Sequence, residues 1–272
     1  MTDAVTLLLW PLLACIAIAG IHAYLGFHVV ERGVIFVDLA LAQVAALGAT
    51  IGFLLGYDLH DPMAEWLSVV AVVIGAALIS VLKAEKRRIP QEAFIGIVYA
   101  VAAATAILIV DRTAEGAEHI KFMFVGNLLA ASPGEVARLA ALYAGIGVLH
   151  FVWRRPFFAI SRGNTDGMSK AQVKLWDFLF YATFGLVVTQ SVAVAGVLLV
   201  FSYLIVPSVI GMLVADSAPA RLAIGWIVGV AVSVAGMLAS YKFDFPTGAT
   251  VVATFGAALL LALGYRGVVR RA

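Results

Sequence analysis

Long apolar blocks, separated by charged or Pro/Gly-rich stretches, run through this chain almost from end to end. A helix needs about 20 apolar residues to cross a hydrocarbon core of about 30 Å. The pattern therefore predicts an all-α fold, a polytopic bundle of transmembrane helices with about nine spans. These lie at roughly 5–29, 34–56, 64–83, 93–111, 137–153, 174–192, 194–214, 221–241 and 246–265.

The weakest boundary lies between the sixth and seventh spans. It rests on three residues, Gln190, Ser191 and Gly196, within an otherwise apolar stretch. An eight-span bundle in which this pair is partly re-entrant is the alternative.

Composition agrees with a chain that lies mostly in lipid. Hydrophobic residues make up 63% of it and charged residues 12%, whereas soluble domains carry about twice that charge. No stretch has the composition of a separate soluble domain, so we expect a single transmembrane domain over residues 1–272. Basic residues occur in short runs at helix ends and not on one face, which argues against nucleic-acid binding.

The distribution of Lys and Arg predicts the orientation, because cytoplasmic loops carry an excess of both. One set of helix ends carries 14 of the 18 basic residues. Placing that set inside predicts an outside N-terminus and an inside C-terminus. The set comprises Arg32, Lys83, Lys86, Arg87, Arg88, Arg154, Arg155, Arg162, Lys170, Lys174, Arg221, Arg266, Arg270 and Arg271.

Few residues within the spans could carry chemistry. The phosphate-binding pattern G-x-x-x-x-G-K-[ST] is absent from the sequence, which excludes ATP hydrolysis by that route. Asp38 is the one acid clearly inside a span. An ionisable residue in a membrane marks a functional path by default, but a carboxylate in the first turns of a helix is also stabilised by the helix dipole.

Two further residues have both a functional and a structural interpretation. Gln43 either lines a cavity or hydrogen-bonds a neighbouring helix. Pro207 lies within an apolar block, where proline kinks a helix. Broken helices commonly line transport sites, and a tolerated kink is the other interpretation.

The predicted loops contain two segments of interest. Residues 154–174 form the longest cytoplasmic stretch, with a turn-rich S-R-G-N-T-D-G at 161–167, and Ser169 is placed to cap the sixth span. This stretch is either a docking element for a soluble partner or a plain connection. Residues 122–129 are apolar and short, as in a half-helix or lid.

Four stretches together resemble one family, the membrane permeases of bacterial zinc, manganese and iron ABC transporters. The sequence A-G-V-L-L-V-F-S-Y-L-I-V-P at 195–207 is similar to its V-G-x-L-L-v-x-x-L-L-i-x-P segment. The other three are S-Y-K-F-D-F-P-T-G-A at 240–249, E-A-F-I-G-I at 92–97 and V-G-N-L-L at 125–129. In order and spacing the likeness covers residues 20–265.

The resemblance implies a homodimeric pore in the bacterial inner membrane that imports a divalent metal by alternating access. It also implies two kinds of partner, a cytoplasmic ATPase and an extracytoplasmic metal-binding protein. ATP would bind to the ATPase, and no cofactor is expected on this chain. The 154–174 segment would hold the coupling helix, and we assign coupling to Arg162, Asp166 and Lys170.

The chain departs from the family at the expected metal ligands. The family pattern R-G-x-x-x-x-x-D-A-L-A-H places Asp and His four apart, but here Leu39 and Gln43 occupy those positions and Asp38 comes one residue early. Carboxylate with imidazole suits a transition metal, and glutamine is a weak ligand. Asp38 is therefore the candidate metal contact, and Asp38, Gln43 and Pro207 are the candidate pathway residues.

Three hypotheses follow from these observations. The first is a zinc or manganese importer subunit, and the second is the same architecture carrying a metal chelate or a non-metal substrate. The third is an intramembrane enzyme or scaffold, which the small number of deep polar groups disfavours.

Overall fold

The computed structural model of this chain describes residues 2–57, 61–82, 90–111 and 126–269, and the side chains of residues 8–57, 61–81, 90–111 and 126–267. Helices dominate this part of the chain, and no strand occurs in it. The helices are α1 (Thr2–Arg32), α2 (Val37–Leu54), α3 (Pro62–Leu82), α4 (Gln91–Val110), a short 3-10 helix (Leu128–Ala130), α5 (Pro133–Val152), α6 (Arg154–Ser161), α7 (Lys170–Ala195), α8 (Val197–Val214), α9 (Ala218–Phe243) and α10 (Thr247–Val269).

Nine of these helices, all except α6 and the 3-10 helix, are long and apolar enough to cross a membrane in the described residues. Large apolar side chains remain exposed along them, with Leu108 at 72% and Leu261 at 76%. Such residues suit contact with acyl chains, and a helix satisfies its own backbone hydrogen bonds in lipid. The predicted transmembrane bundle of nine spans is therefore confirmed.

Gly196 separates the sixth span from the seventh. Helix α7 ends at Ala195 and α8 begins at Val197, while Gly196 between them has a φ of 76°. This left-handed backbone suits glycine, because a side chain at positive φ is strained. The uncertain boundary is thus a true helix break, and Gln190 and Ser191 lie inside α7.

The chain divides into two compact units. The first consists of Met1–Val30, Phe124–Gly147 and Ala193–Ala272, and the second of Glu31–Met123 and Val148–Val192. The expectation of a single domain over the whole chain stays a prediction.

In the first unit, α8 packs against α9 and α10, and α1 lies close to α8 and α9. A Cβ atom added to Gly26 of α1 would collide with the backbone carbonyl of Leu204 in α8. Trp226 Nε1 of α9 donates a hydrogen bond to the carbonyl of Gly20 at 2.9 Å. Small residues let membrane helices approach this closely, and close packing then replaces the hydrophobic effect as the force between them.

In the second unit, α2 packs against α3 and α4. A Cβ added to Gly48 of α2 would lie 2.6 Å from the carbonyl oxygen of Leu67 and 2.7 Å from Ser68 Cα, both in α3. One helical turn later, a Cβ on Gly52 would lie 3.1 Å from Ala64 Cα. Glycines four residues apart thus form the contact face of α2 toward α3.

The 154–174 segment contains the eight-residue helix α6; the resemblance implied a helix in this segment but did not give its bounds. The predicted cap is present: Ser169 Oγ accepts the N–H of Gln172 at 3.2 Å, and Gln172 Oε1 accepts the N–H of Ser169 at 2.8 Å. This reciprocal pair is a capping box at the start of α7.

Some predicted features fall outside the described residues. These are positions 122–125 of the predicted half-helix and the basic residues at 83, 86, 87, 88, 112, 121, 270 and 271. The remainder of the half-helix includes the 3-10 helix at Leu128–Ala130.

Candidate functional site

The link between α1 and α2 sets the position of the candidate site. Helix α1 ends at Arg32, and Gly33 follows with a φ of 65°. Within the link, the N–H of Ile35 donates to Glu92 Oε1 at the start of α4, and the N–H of Val37 donates to Val34 at 3.1 Å. The link that leads into α2 is therefore hydrogen-bonded to the first turn of α4.

Asp38 lies in the first turn of α2, as its sequence position predicted. Its side chain is 1% exposed, and neither carboxylate oxygen has a hydrogen-bond partner within the described ranges. A buried carboxylate is costly unless a proton or a cation neutralises it. The helix N-terminus contributes a favourable dipole, but it supplies no hydrogen bond to either oxygen. Asp38 therefore has the coordination capacity to receive a cation.

Gln43 is also buried in α2, and its Nε2 atom lacks a hydrogen-bond partner in the part of the chain that is described. Five helical residues correspond to a rotation of about 140° from Asp38, so α2 does not bring the two side chains onto one face. Among the described residues no three His, Cys, Asp or Glu side chains are grouped as a metal would require. The described residues therefore do not group Asp38 with two further side chains of these types, and its role as a metal contact stays a prediction.

Pro207 lies in the first unit, within α8 and buried. The helix is continuous on both sides of it, although proline has no N–H to offer the carbonyl four residues earlier. The next residue, Ser208, bonds the carbonyl of Leu204 at 2.9 Å and that of Ala23 in α1 at 3.4 Å. A pathway role for Pro207 stays a prediction.

The predicted coupling residues all lie at the surface. Arg162, Asp166 and Lys170 are exposed and span the turn between α6 and α7. Gly163 and Gly167 both have positive φ, at 70° and 80°, which shapes this turn. The segment therefore presents charged side chains on a defined backbone, as a docking element would.

A buried ionic cluster at Arg32 was missed by the sequence analysis. Arg32 Nη1 lies 2.7 Å from Asp177 Oδ1, with both side chains at most 2% exposed. Arg32 Nε donates to Ser161 Oγ at 2.9 Å, and the guanidinium lies 3.9 Å from the centre of the Phe180 ring. The sequence signal was a single Arg between two spans, but its partners lie 129 and 145 residues away.

Comparison with known proteins agrees with this architecture. The model of the ABC 3 transport family matches residues 4–266. A probable iron transport system membrane protein from Haemophilus influenzae is 25% identical over 258 residues, covering 93% of this chain and 92% of that protein. The manganese transport system membrane protein MntC of Halalkalibacterium halodurans is 22% identical over 255 residues, covering 93% and 85% respectively.

A solved structure shows the same fold. PsaBC from Streptococcus pneumoniae, in complex with a Fab, superimposes with a TM-score of 0.76 at 21% sequence identity. The alignment covers 96% of this chain and 93% of that chain.

The nine apolar helices of the described residues, together with these likenesses, define a multi-pass membrane permease of the bacterial inner membrane. The chain belongs to the ABC 3 transport family. It is therefore a permease subunit of an ABC transporter, as the resemblance predicted.

Proposed function

We propose that this chain forms the translocation pathway of an ATP-driven importer for a divalent metal ion, zinc or manganese, and that Asp38 contacts the ion during transit. One observation carries the proposal: both carboxylate oxygens of Asp38 are buried and have no hydrogen-bond partner in the described residues. A divalent cation would supply the positive charge that neutralises this buried carboxylate. Relatives named as iron and manganese transport proteins support cargo of this class.

A site with a single protein ligand suits an ion that is transported better than an ion that is bound permanently. Conduction requires that binding be strong enough to admit an ion and weak enough to release it. Asp38 with water molecules meets both conditions, because the chain adds no second carboxylate or imidazole from the same face of α2. Carboxylate and water ligands favour manganese over softer metals.

The partners follow from what this chain supplies and what it lacks. Its sequence contains no phosphate-binding loop, so a cytoplasmic ATP-binding subunit would supply the energy. Arg162, Asp166 and Lys170 would contact that subunit, and their exposure fits this role. An extracytoplasmic binding protein would deliver the cargo, and a second copy of this chain would complete the pore. The bias in basic residues supports an outside N-terminus and an inside C-terminus.

The proposed mechanism is alternating access without covalent chemistry. Cargo would enter from the binding protein and contact Asp38, and ATP-driven closure of the ATPase subunits would reorient the helices. Pro207 would assist in α8, because the carbonyl of Tyr203 has no proline N–H to bond and the helix bends more easily there.

The test is uptake of radioactive manganese or zinc into proteoliposomes that hold the full complex and its binding protein. We expect ATP-dependent uptake by the wild type and a loss of at least about tenfold for Asp38→Asn, which keeps the side-chain shape and removes the charge. Asp216→Asn is the matched control, because Asp216 is exposed between α8 and α9. Normal uptake by Asp38→Asn would remove Asp38 from the pathway.

A second candidate is import of a metal chelate or a non-metal substrate. Leu39 and Gln43 favour it, since the buried Gln43 amide offers a hydrogen-bond donor where the family pattern has an imidazole. If the complex hydrolyses ATP in response to its loaded binding protein but takes up neither bare ion, the second candidate replaces the first.

A further inference from the structure

A buried cluster in the second unit joins three separate helices through one side chain. This cluster, the Arg32 cluster, consists of Arg32, Ser161, Asp177 and Phe180. Arg32 is in the last turn of α1, Ser161 is the last residue of α6, and Asp177 and Phe180 lie in α7. The guanidinium donates to Ser161 Oγ at 2.9 Å and to Asp177 Oδ1 at 2.7 Å, and it stacks over Phe180.

The position of Arg32 along the chain connects the cluster to the start of α2. Only residues 33–36 separate Arg32 from α2, and Asp38 lies in the first turn of that helix. A displacement of Arg32 is therefore passed to the start of α2 through four residues.

The chemistry of the cluster couples the position of Arg32 to the position of the 154–174 segment. A guanidinium is a planar fork with fixed donor directions, so two partners fix its position more strictly than they would fix an ammonium group. Buried opposite charges also stay together, because separating them would leave each uncompensated away from water. When α6 and the start of α7 move, Arg32 must move with Ser161 and Asp177.

Stability alone does not account for the cluster. Buried ion pairs are often replaced by apolar side chains with no loss of stability. In addition, Arg32 Nη2 is buried and has no hydrogen-bond partner within the described segments, whereas a purely structural polar network is expected to satisfy all its donors. The unsatisfied Nη2 donor suits a cluster in which Arg32 bonds a further acceptor in a second conformation of the protein.

We propose that the Arg32 cluster is the mechanical link that carries movement of the 154–174 coupling segment to the start of α2, with Arg32 and Ser161 as positioning residues for transport. This inference rests on the proposed function of the chain as an ATP-driven importer. It assigns to Arg32 a role that its place between two spans does not reveal.

The decisive variant is Ser161→Ala, which removes the hydroxyl that accepts from Arg32 Nε and leaves the buried charge pair with Asp177 in place. The matched control is Ser80→Ala, because Ser80 is 4% exposed against 3% for Ser161 and its hydroxyl donates to the carbonyl of Ala77 in its own helix. Uptake and ATP hydrolysis are measured in the same proteoliposomes. We expect Ser161→Ala to lower the ions moved per ATP by roughly 2- to 30-fold, and Ser80→Ala to leave this ratio unchanged.

Arg32→Lys provides a second variant that keeps the positive charge. We expect it to lower the ratio at least as much as Ser161→Ala, because a single ammonium group cannot reproduce the fork. A merely structural role would reduce uptake and hydrolysis together, in proportion to the amount of assembled complex. It would leave ions per ATP at the wild-type value in both variants, and that result overturns the inference.

A second measurement does not depend on the identity of the cargo. Phe36 is 49% exposed in the link before α2, so Phe36→Cys in a Cys15→Ala background can carry an environment-sensitive dye. We expect ATP to change the dye signal in the complex, and Ser161→Ala but not Ser80→Ala to reduce this change.

The two measurements separate failure of the inference from failure of the proposed function. Suppose that the wild type transports and that Ser161→Ala keeps both the wild-type number of ions per ATP and the wild-type dye signal. The proposed role of the Arg32 cluster is then wrong, whereas the proposed importer function is retained. If the wild type shows neither uptake nor an ATP-dependent dye signal, the importer function is wrong and the link falls with it.

Discussion

The carboxylate of Glu92 accepts a hydrogen bond from the backbone N–H of Ile35, a residue 57 positions earlier in the chain. Glu92 is in the first turn of α4, and Ile35 is in the short link that leads into α2. The bond satisfies a backbone donor in a link that has no helical acceptor for it. It thereby holds the start of the helix that bears Asp38.

Loss of this bond should weaken both folding and transport. We expect Glu92→Ala to lower the free energy of unfolding by about 1–3 kcal/mol, because it leaves a partly buried N–H without an acceptor. Glu92→Gln retains an acceptor oxygen and should cost less than half as much. Thermal unfolding of the purified protein in detergent measures both changes. Equal losses for the two variants would show that the charge of Glu92, and not the bond to Ile35, is what matters.

The same substitution, Asp→Asn, should change the stability of the protein in opposite directions at two buried aspartates. Asp38 and Asp177 are each 1% exposed; Asp177 pairs with Arg32, whereas Asp38 has no hydrogen-bond partner in the described residues. In metal-free detergent solution, Asp38→Asn should raise the melting temperature because it removes an uncompensated buried charge. Asp177→Asn should lower the free energy of unfolding by about 3–5 kcal/mol, because Arg32 is left unpaired.

Scanning fluorimetry of the two variants beside the wild type checks this pair. A loss of stability in Asp38→Asn as large as that in Asp177→Asn would mean that the Asp38 carboxylate has a structural partner, and its role as cargo ligand would lose its support.

Restoring the family's ligand spacing should change ion binding. In Leu39→Asp/Gln43→His, a carboxylate and an imidazole would lie four residues apart on one face of α2. This pair suits zinc and other transition metals, so we expect tighter zinc binding by at least about tenfold, measured by isothermal titration. The single variant Gln43→Asn, which adds no metal ligand, is the control. Unchanged zinc affinity in the double variant would show that this face of α2 is not open to ions.

Replacement by alanine should change the stability of the protein in opposite directions at two glycines of the second unit. At Gly48 a Cβ would lie 2.6 Å from the Leu67 carbonyl, so Gly48→Ala must push α2 and α3 apart. Strain of this kind costs typically about 1–3 kcal/mol. At Gly96 in α4 nothing lies within 4 Å of an added Cβ, and Gly96→Ala should stabilise the helix by about 0.5–1 kcal/mol. Thermal unfolding of both variants measures the difference, and a stabilised Gly48→Ala would contradict the close packing of α2 on α3.

Much of the architecture was accessible from the sequence because the membrane imposes a simple rule on each segment by itself. A span must be about 20 apolar residues long and helical, so all nine spans, and even the doubtful break at Gly196, could be found without knowledge of their neighbours. The capping box at Ser169 was predictable for the same reason, since its partner lies three residues away. The bounds of helix α6 could not be found in this way, because its eight residues are too short for the rule that identifies spans.

For the candidate site, the sequence determined that Asp38 lies in the first turn of an apolar helix. Only the tertiary structure decided that both of its oxygens are buried and lack a hydrogen-bond partner in the described residues, and that Arg32 pairs with Asp177 and Ser161. The physical reason is separation along the chain. Helix formation and lipid burial depend on neighbours within a few residues, whereas the electrostatic state of a buried charge depends on side chains brought from helices more than 100 residues away.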